Sequence, residues 1–261
     1  MSNLTKRIIA GVVGIPILLA VIITGGNVFL GFTILLSSLA LFEFYGMFMQ
    51  RSYKPRRIPM MLFSAVSILL FYYFEPDYFL GVLFLAFVFS AVAEIFRSEN
   101  RDPMNVATDL LGLVYVGLPM AMLNHLANHP VINIALYVFI LIWSCDTFAY
   151  FGGRLFGKTA LSPVSPKKTV EGSLIGLIFT TVVSMAFHFL FPQNISLSDS
   201  IILGILIGLI SQAGDLFESM LKRYCDVKDS SNIIPGHGGV LDRFDSLLFV
   251  VPFVYLYIRY F

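Results

Sequence analysis

The chain has 261 residues, of which 57% are hydrophobic and 13% charged, whereas soluble domains are about 45–50% apolar and about 25% charged. That imbalance excludes an ordinary soluble fold. The formal net charge of +1 is uninformative as a total, because its distribution along the chain carries the information, and nucleic acid is not among the expected partners.

A helix needs about 20 mostly apolar residues to cross a bilayer. Stretches of that length fall at roughly 8–24, 27–49, 58–74, 77–97, 104–124, 131–151, 170–192, 200–223 and 240–260. The first follows MSNLTKR and ends without a clear small-x-small cleavage site, so it reads as a span, not a removable leader. The fold class expected is an all-α integral membrane protein with about nine transmembrane helices. With the N-terminus inside, the cytoplasmic segments hold every Lys and Arg from Lys6 to Arg243, and only Arg259 falls on the opposite side with the C-terminus, the asymmetry that orients membrane proteins. The breaks at Gly25-Gly26-Asn27, Glu75-Pro76-Asp77, Asn124 to Pro130 and Pro192 to Asp199 contain no basic residue. Residues 1–261 read as a single polytopic membrane domain, with the chemistry-bearing motifs in 131–261. Cys145 and Cys225 are too few and too far apart for a disulfide framework or a CxxC metal site, and both read as reduced thiols.

Carboxylates inside spans are costly and point to function. Asp146 and Asp215 each lie about fifteen residues into a span that runs toward the cytoplasm, and Asp242 and Asp245 open the ninth span from that side. Three helices therefore carry acids at a similar depth. The outer half of the hydrocarbon has no ionisable residue, which favours a half-buried enzyme site over a transport path. Asp215 with Glu218, and Asp242 with Asp245, share a helical face at i,i+3 spacing, so two antiparallel helices could bring the pairs together around a cation, for which Mg²⁺ is the natural occupant. Glu218 and Lys222 at i,i+4 could equally be an ordinary helix pair. Glu43, Glu94 and Asp109 read as interfacial groups or as partners of loop arginines such as Arg97 and Arg101.

Two inner loops are long and rich in Gly, Pro, Lys and Ser. In the first, Gly152 to Thr159 fits the pattern G-x-x-x-x-G-K-[ST], but it follows a membrane helix and runs into Ser162-Pro163 and Ser165-Pro166, so it is not a phosphate-binding P-loop. Lys158 remains a candidate phosphate contact. Ser165-Pro166-Lys167-Lys168-Thr169 then leads into the seventh span with Thr169 as N-cap, a place where a helix N-terminus and two lysines attract anions. The second loop ends in Gly236-His237-Gly238-Gly239-Val240-Leu241-Asp242-Arg243-Phe244-Asp245, where flexible glycines could let backbone N–H groups approach a phosphate.

The segment from Ser219 to Asp245, through Lys222-Arg223, Lys228-Asp229, Pro235, His237-Gly238-Gly239 and Asp242-Arg243, resembles the signature of the phosphatidate cytidylyltransferases, or CDP-diacylglycerol synthases. Asp146-Thr147-Phe148-Ala149-Tyr150, Gly157-Lys158, Ser165 to Thr169 and Gly214-Asp215 also look like that family. The first four spans are similar in hydrophobic character alone, and Ser231 stands where many members have Gly. The resemblance implies a dimeric enzyme of the bacterial inner membrane, with its site facing the cytoplasm, that converts CTP and phosphatidate to CDP-diacylglycerol and pyrophosphate with Mg²⁺ and K⁺ as the candidate second ion. Asp215 and Asp242 are its implied ion ligands, with Glu218 a third candidate. Asp146, Lys167, Lys168, Lys222, Arg223, Lys228, His237 and Arg243 are the candidate catalytic residues. Lys158, Ser165, Thr169, Asp229, Gly238, Gly239 and Asp245 are the candidate substrate-binding residues. A CTP-dependent polyprenol-type lipid kinase is the alternative enzyme, and a transporter of phosphate-bearing solutes the alternative of another class.

Overall fold

The computed structural model describes residues 3–74, 78–127, 133–234, 236 and 238–260, with side chains described from Gly11 onward. Among these the secondary structure is helical, apart from isolated bridges at Ala160 with Thr169 and Ile234 with Gly238. The helices are α1 (Asn3–Thr24), α2 (Gly26–Gln50), α3 (Arg57–Tyr73) and α4 (Tyr78–Ile95), then α5 (Pro103–Ala127), α6 (Ile134–Phe156), α7 (Val170–Leu190), α8 (Leu197–Tyr224) and α9 (Leu241–Tyr260). They coincide with the segments expected to span. Six of them, α2 and α4 to α8, are long and apolar enough to cross a membrane.

Helix starts follow local chemistry. Asp102 caps α5 by accepting from the Met104 N–H at 2.9 Å, with Pro103 in the first turn, where its missing N–H costs nothing. Asn133 caps α6 through Leu136 N–H, and Thr169 caps α7 through Gly172 N–H at 3.2 Å, each satisfying a donor the helix leaves open. Within α5, Leu113–Gly117 is wound as a π-helix, which the apolar pattern did not announce.

The described residues fall into two compact units, Met1–Asn128 with Tyr224–Phe244, and His129–Arg223 with Asp245–Phe261. In the first, Phe29, Leu41, Phe44, Tyr45 and Met47 of α2 are fully buried along with Met60 and Ile68 of α3 and Met120 and Leu123 of α5. A polar network lies at one end of this unit. Arg56 pairs with Glu94 at 2.6 Å and Asp109 at 3.2 Å, and Arg97 with Glu94 at 3.0 Å. Ser90 donates to Asp109, and Asn105 to Glu94. The expected pairing of Glu94 with Arg97 is present, but Arg56 is the residue that joins both acids.

In the second unit α6 and α7 approach closely because small residues face each other. A Cβ on Gly172 would lie 2.6 Å from the Ala149 carbonyl oxygen, and one on Gly176 would lie 2.9 Å from the Ala149 methyl, the small-residue packing that lets membrane helices touch where hydrophobic force between them is absent. The opposite surface of α7 exposes Leu174, Ile178, Phe179, Val182 and Phe189. An apolar face of that extent suits lipid and not water.

Candidate active site

The loop between α6 and α7 doubles back on itself around the bridge of Ala160 with Thr169. Leu161 N–H donates to Lys168 C=O at 2.8 Å, Val170 N–H to Thr159 C=O at 2.9 Å, and Lys168 N–H to Ser165 C=O at 3.0 Å. Helix α6 ends at Phe156, and Glu171 accepts from the N–H groups of Lys158 and Thr159 at 3.0 and 3.2 Å. The P-loop-like stretch therefore closes a helix instead of opening one, and Lys158 contributes its main chain to holding the loop.

Beneath this loop lies a cavity of about 550 Å³, lined among others by Asp146, Arg154, Ser165, Lys167, Lys168, Thr169, Gln212 and Asp215. Lys168 Nζ is ion-paired with Asp215, both half-exposed. Ser219 donates to Asp215 Oδ1 at 3.4 Å, and Gln212 donates to Ser173 C=O at 3.2 Å and Gly208 C=O at 2.8 Å. Asp245 lies within electrostatic reach of Asp215, Asp146 and Lys168. Acids from α6, α8 and α9 thus converge as their depth in the sequence suggested. They do not form a metal shell by themselves, since among the described residues no three His, Cys, Asp or Glu side chains gather closely enough to hold an ion.

Of the two readings the sequence left open for Glu218, the structure shows the helix pair. Glu218 is fully buried and pairs with Lys222 at 2.5 Å, the ordinary helix arrangement, so both charges are already engaged. Asp242 Oδ2 accepts from Ser230 N–H at 2.9 Å, Ser230 Oγ at 2.8 Å and Gly239 N–H at 2.7 Å. The N–H of Gly239, expected to face phosphate, is instead spent on this carboxylate. Gly238 has a φ of +83°, and a Cβ there would lie 2.7 Å from Asp242 Oδ2, so its glycine identity is explained by backbone conformation and by the closeness of Asp242. Arg223, Lys228, Asp229 and Arg243 are exposed. His237 lies outside the described residues, as do the side chains of Lys6 and Arg7 and the Glu75-Pro76-Asp77 break.

Residues 5–261 match the cytidylyltransferase family. The chain belongs to that family. It is 37% identical over 254 residues to the phosphatidate cytidylyltransferase of Staphylococcus saprophyticus, covering 94% of this chain and 95% of the other. Against the Synechocystis enzyme of that name it is 34% identical over 285 residues, covering 97% and 96%, and against that of Bacillus subtilis 33% identical over 277 residues, covering all of both.

The cavity sets the cationic groups Lys167, Lys168 and Arg154 beside the carboxylates Asp146 and Asp215. Sequence reasoning passed over Arg154 and Gln212. The adjacent polar residues Ser211-Gln212, deep in an apolar span, were the available signal. Glu43, read from the sequence as interfacial or paired with a loop arginine, has a carboxylate that meets hydroxyls and backbone N–H groups.

Proposed function

We propose that the chain transfers the cytidylyl group of CTP to phosphatidate at the cytoplasmic face of a bacterial inner membrane. A phosphate oxygen of phosphatidate forms a bond to the α-phosphorus of CTP while the bond from that phosphorus to the bridging oxygen breaks, releasing pyrophosphate with its electron pair. The observation that carries this reading is the cavity of about 550 Å³, in which Lys167 and Lys168 meet Asp146 and Asp215 in a chain of this family. A phosphate monoester is already largely dianionic near neutral pH, with a second pKa of about 6, so the nucleophile needs no strong base. Catalysis then rests on positioning and charge neutralisation. Lys167 and Lys168 take phosphate charge, Arg154 and Arg243 offer bidentate contacts, and Asp146 orients a lysine or takes a second ion such as K⁺.

The donor chemistry fits Mg²⁺. Asp215 and Asp242 supply hard oxygens, and such an ion takes only one or two carboxylates when substrate phosphates complete its shell. When bound, Mg²⁺ supplies charge stabilisation at the α-phosphate and the leaving pyrophosphate. Nine spans, an inside N-terminus, an outside C-terminus and a homodimer complete the reading.

The test is incubation of detergent-purified protein with phosphatidate, Mg²⁺ and α-labelled CTP. Label is expected in lipid, and is expected to vanish with a chelator or with Asp242→Asn or Asp215→Asn. Label entering lipid from γ-labelled CTP instead would identify the kinase reading, and uptake of a phosphate-bearing solute by sealed proteoliposomes without nucleotide would identify the transporter.

A further inference from the structure

Glu43 sits in α2 with 2% of its surface exposed, far in sequence from the signature segment. Its Oε1 accepts from Ser231 Oγ at 2.6 Å and Val240 N–H at 2.9 Å, and its Oε2 from Leu241 N–H at 2.7 Å and Ser230 Oγ at 3.1 Å. A buried carboxylate is costly unless its lone pairs are met. Here four donors meet it, and two of them are the N–H groups that begin α9, where the helix dipole also favours an anion. Ser230 has one hydroxyl proton and lies within reach of both Glu43 Oε2 and Asp242 Oδ2, while its N–H also donates to Asp242. A Cβ on Gly239 would collide with Ser230 Oγ and with the Glu43 carboxylate, so the glycine makes room for this arrangement.

We propose that Glu43 is a positioning residue for the transfer reaction: from α2 it fixes Ser230, Ser231 and the first turn of α9, and through Ser230 it sets the orientation of the Asp242 carboxylate. The inference rests on the proposed function, in which Asp242 serves the chemistry. A carboxylate is required because an N–H, which can only donate, meets each of its two oxygens. A glutamine would turn its NH₂ toward one of these N–H groups and leave that donor unmet. Ser231, the position at which this chain departs from the family pattern, adds one of the four bonds.

The experiment compares Glu43→Gln, Glu43→Asp, Ser230→Ala and the Glu43→Gln/Ser230→Ala double variant with the parent chain in detergent. It reads steady-state transfer of α-labelled CTP to lipid and hydrogen–deuterium exchange of the peptides covering 238–242. With Glu43→Gln, kcat is expected to fall about 10–100-fold, the usual effect of removing a group that orients an ion-site ligand. KM for CTP is expected to stay within about twofold, because the Glu43 carboxylate is buried and engaged by protein donors. Exchange at Val240 and Leu241 is expected to rise at least about tenfold on loss of charge-assisted bonds. Glu43→Asp should recover part of kcat, and the double variant should lose less than the product of the two single losses. Parental kcat in Glu43→Gln, or lost kcat with unchanged exchange, or multiplicative losses in the double variant, would overturn the proposal. If Glu43→Gln does not fold, Ser231→Ala removes a single bond, and unchanged exchange at 240–241 in that variant would also overturn it. A parent chain that places no α-label in lipid would sink the functional reading itself, and with it the role assigned to Glu43. That failure is distinguishable, because the exchange effect would persist.

Discussion

Lys168 is the most exacting single position in the cavity. Its ammonium pairs with Asp215 and has Asp245 in electrostatic reach, and Asp146 lines the same cavity, so it offsets the repulsion among acids that share this space. Removing it takes away a charge proposed to neutralise phosphate and leaves Asp215 without the Lys168 ammonium. Lys168→Ala is therefore expected to lower kcat/KM about 10²–10³-fold, the scale seen when one preorganised electrostatic group is lost. Lys168→Arg should keep part of that activity, since the charge remains but the compact ammonium geometry does not. Initial-rate measurements over a CTP series decide both. The sequence marked Lys168 by its place before a helix N-terminus, and marked Asp215 by its depth in a span. Their direct pairing was not legible, because the loop returns on itself through bonds between Thr159 and Val170 and between Leu161 and Lys168, contacts that no local pattern encodes.

The helices of the first unit are joined at one end by Arg56. Its guanidinium is largely buried, with 11% side-chain exposure, against Glu94 at 7% and Asp109 at 0%. A buried pair is weak evidence of net stabilisation, but breaking it leaves charges uncompensated, at about 3–5 kcal/mol. Arg56→Met is thus expected to lower the thermal midpoint in detergent markedly, by more than Arg51→Met. Arg51 pairs with Asp226 at 2.9 Å but with side chains 45% and 75% exposed, where such pairs are worth about 0–1 kcal/mol. A thermal-shift series on the two variants would show the contrast, and equal shifts would refute it. Sequence reasoning placed Glu94 and Asp109 near loop arginines correctly in kind. It did not single out Arg56, because α3, α4 and α5 meet there only after folding.

At the scale of the whole molecule, the nine expected spans coincide with helices, and the basic residues cluster in alternate breaks. The topology proposed from this can be checked by thiol labelling, for which the native background is expected to be silent. Cys145 and Cys225 are both free and buried, and burial pushes the Cys225 thiol up to about 11. A thiol with a raised pKa stays protonated until the pH climbs toward that value. At pH 7.5 only about 3 in 10,000 of such thiols are the reactive thiolate. The unaltered chain is therefore expected to take no maleimide at pH 7.5 and to begin reacting only in strongly alkaline buffer or on denaturation. Asn232→Cys should then react from the cytoplasmic side alone, and Gln193→Cys from the outer side alone. The reverse pattern, read in sealed vesicles of known orientation, would overturn the topology.

The positions of the helices among the described residues were legible in the sequence to within a few residues, because each rests on local chemistry. Apolar length decides whether a segment is helical in lipid, Thr169 caps the helix that begins at Val170, and Lys-rich and Gly-rich breaks mark the loops. Tertiary structure alone decided which charges meet. Glu218 turned to Lys222, Gly239 spent its N–H on Asp242, and Glu43 reached the start of α9 from residues nearly two hundred positions away. Those outcomes depend on how helices rotate about their axes and which small residues let them approach, quantities set by packing over the whole unit and not by any window of the chain.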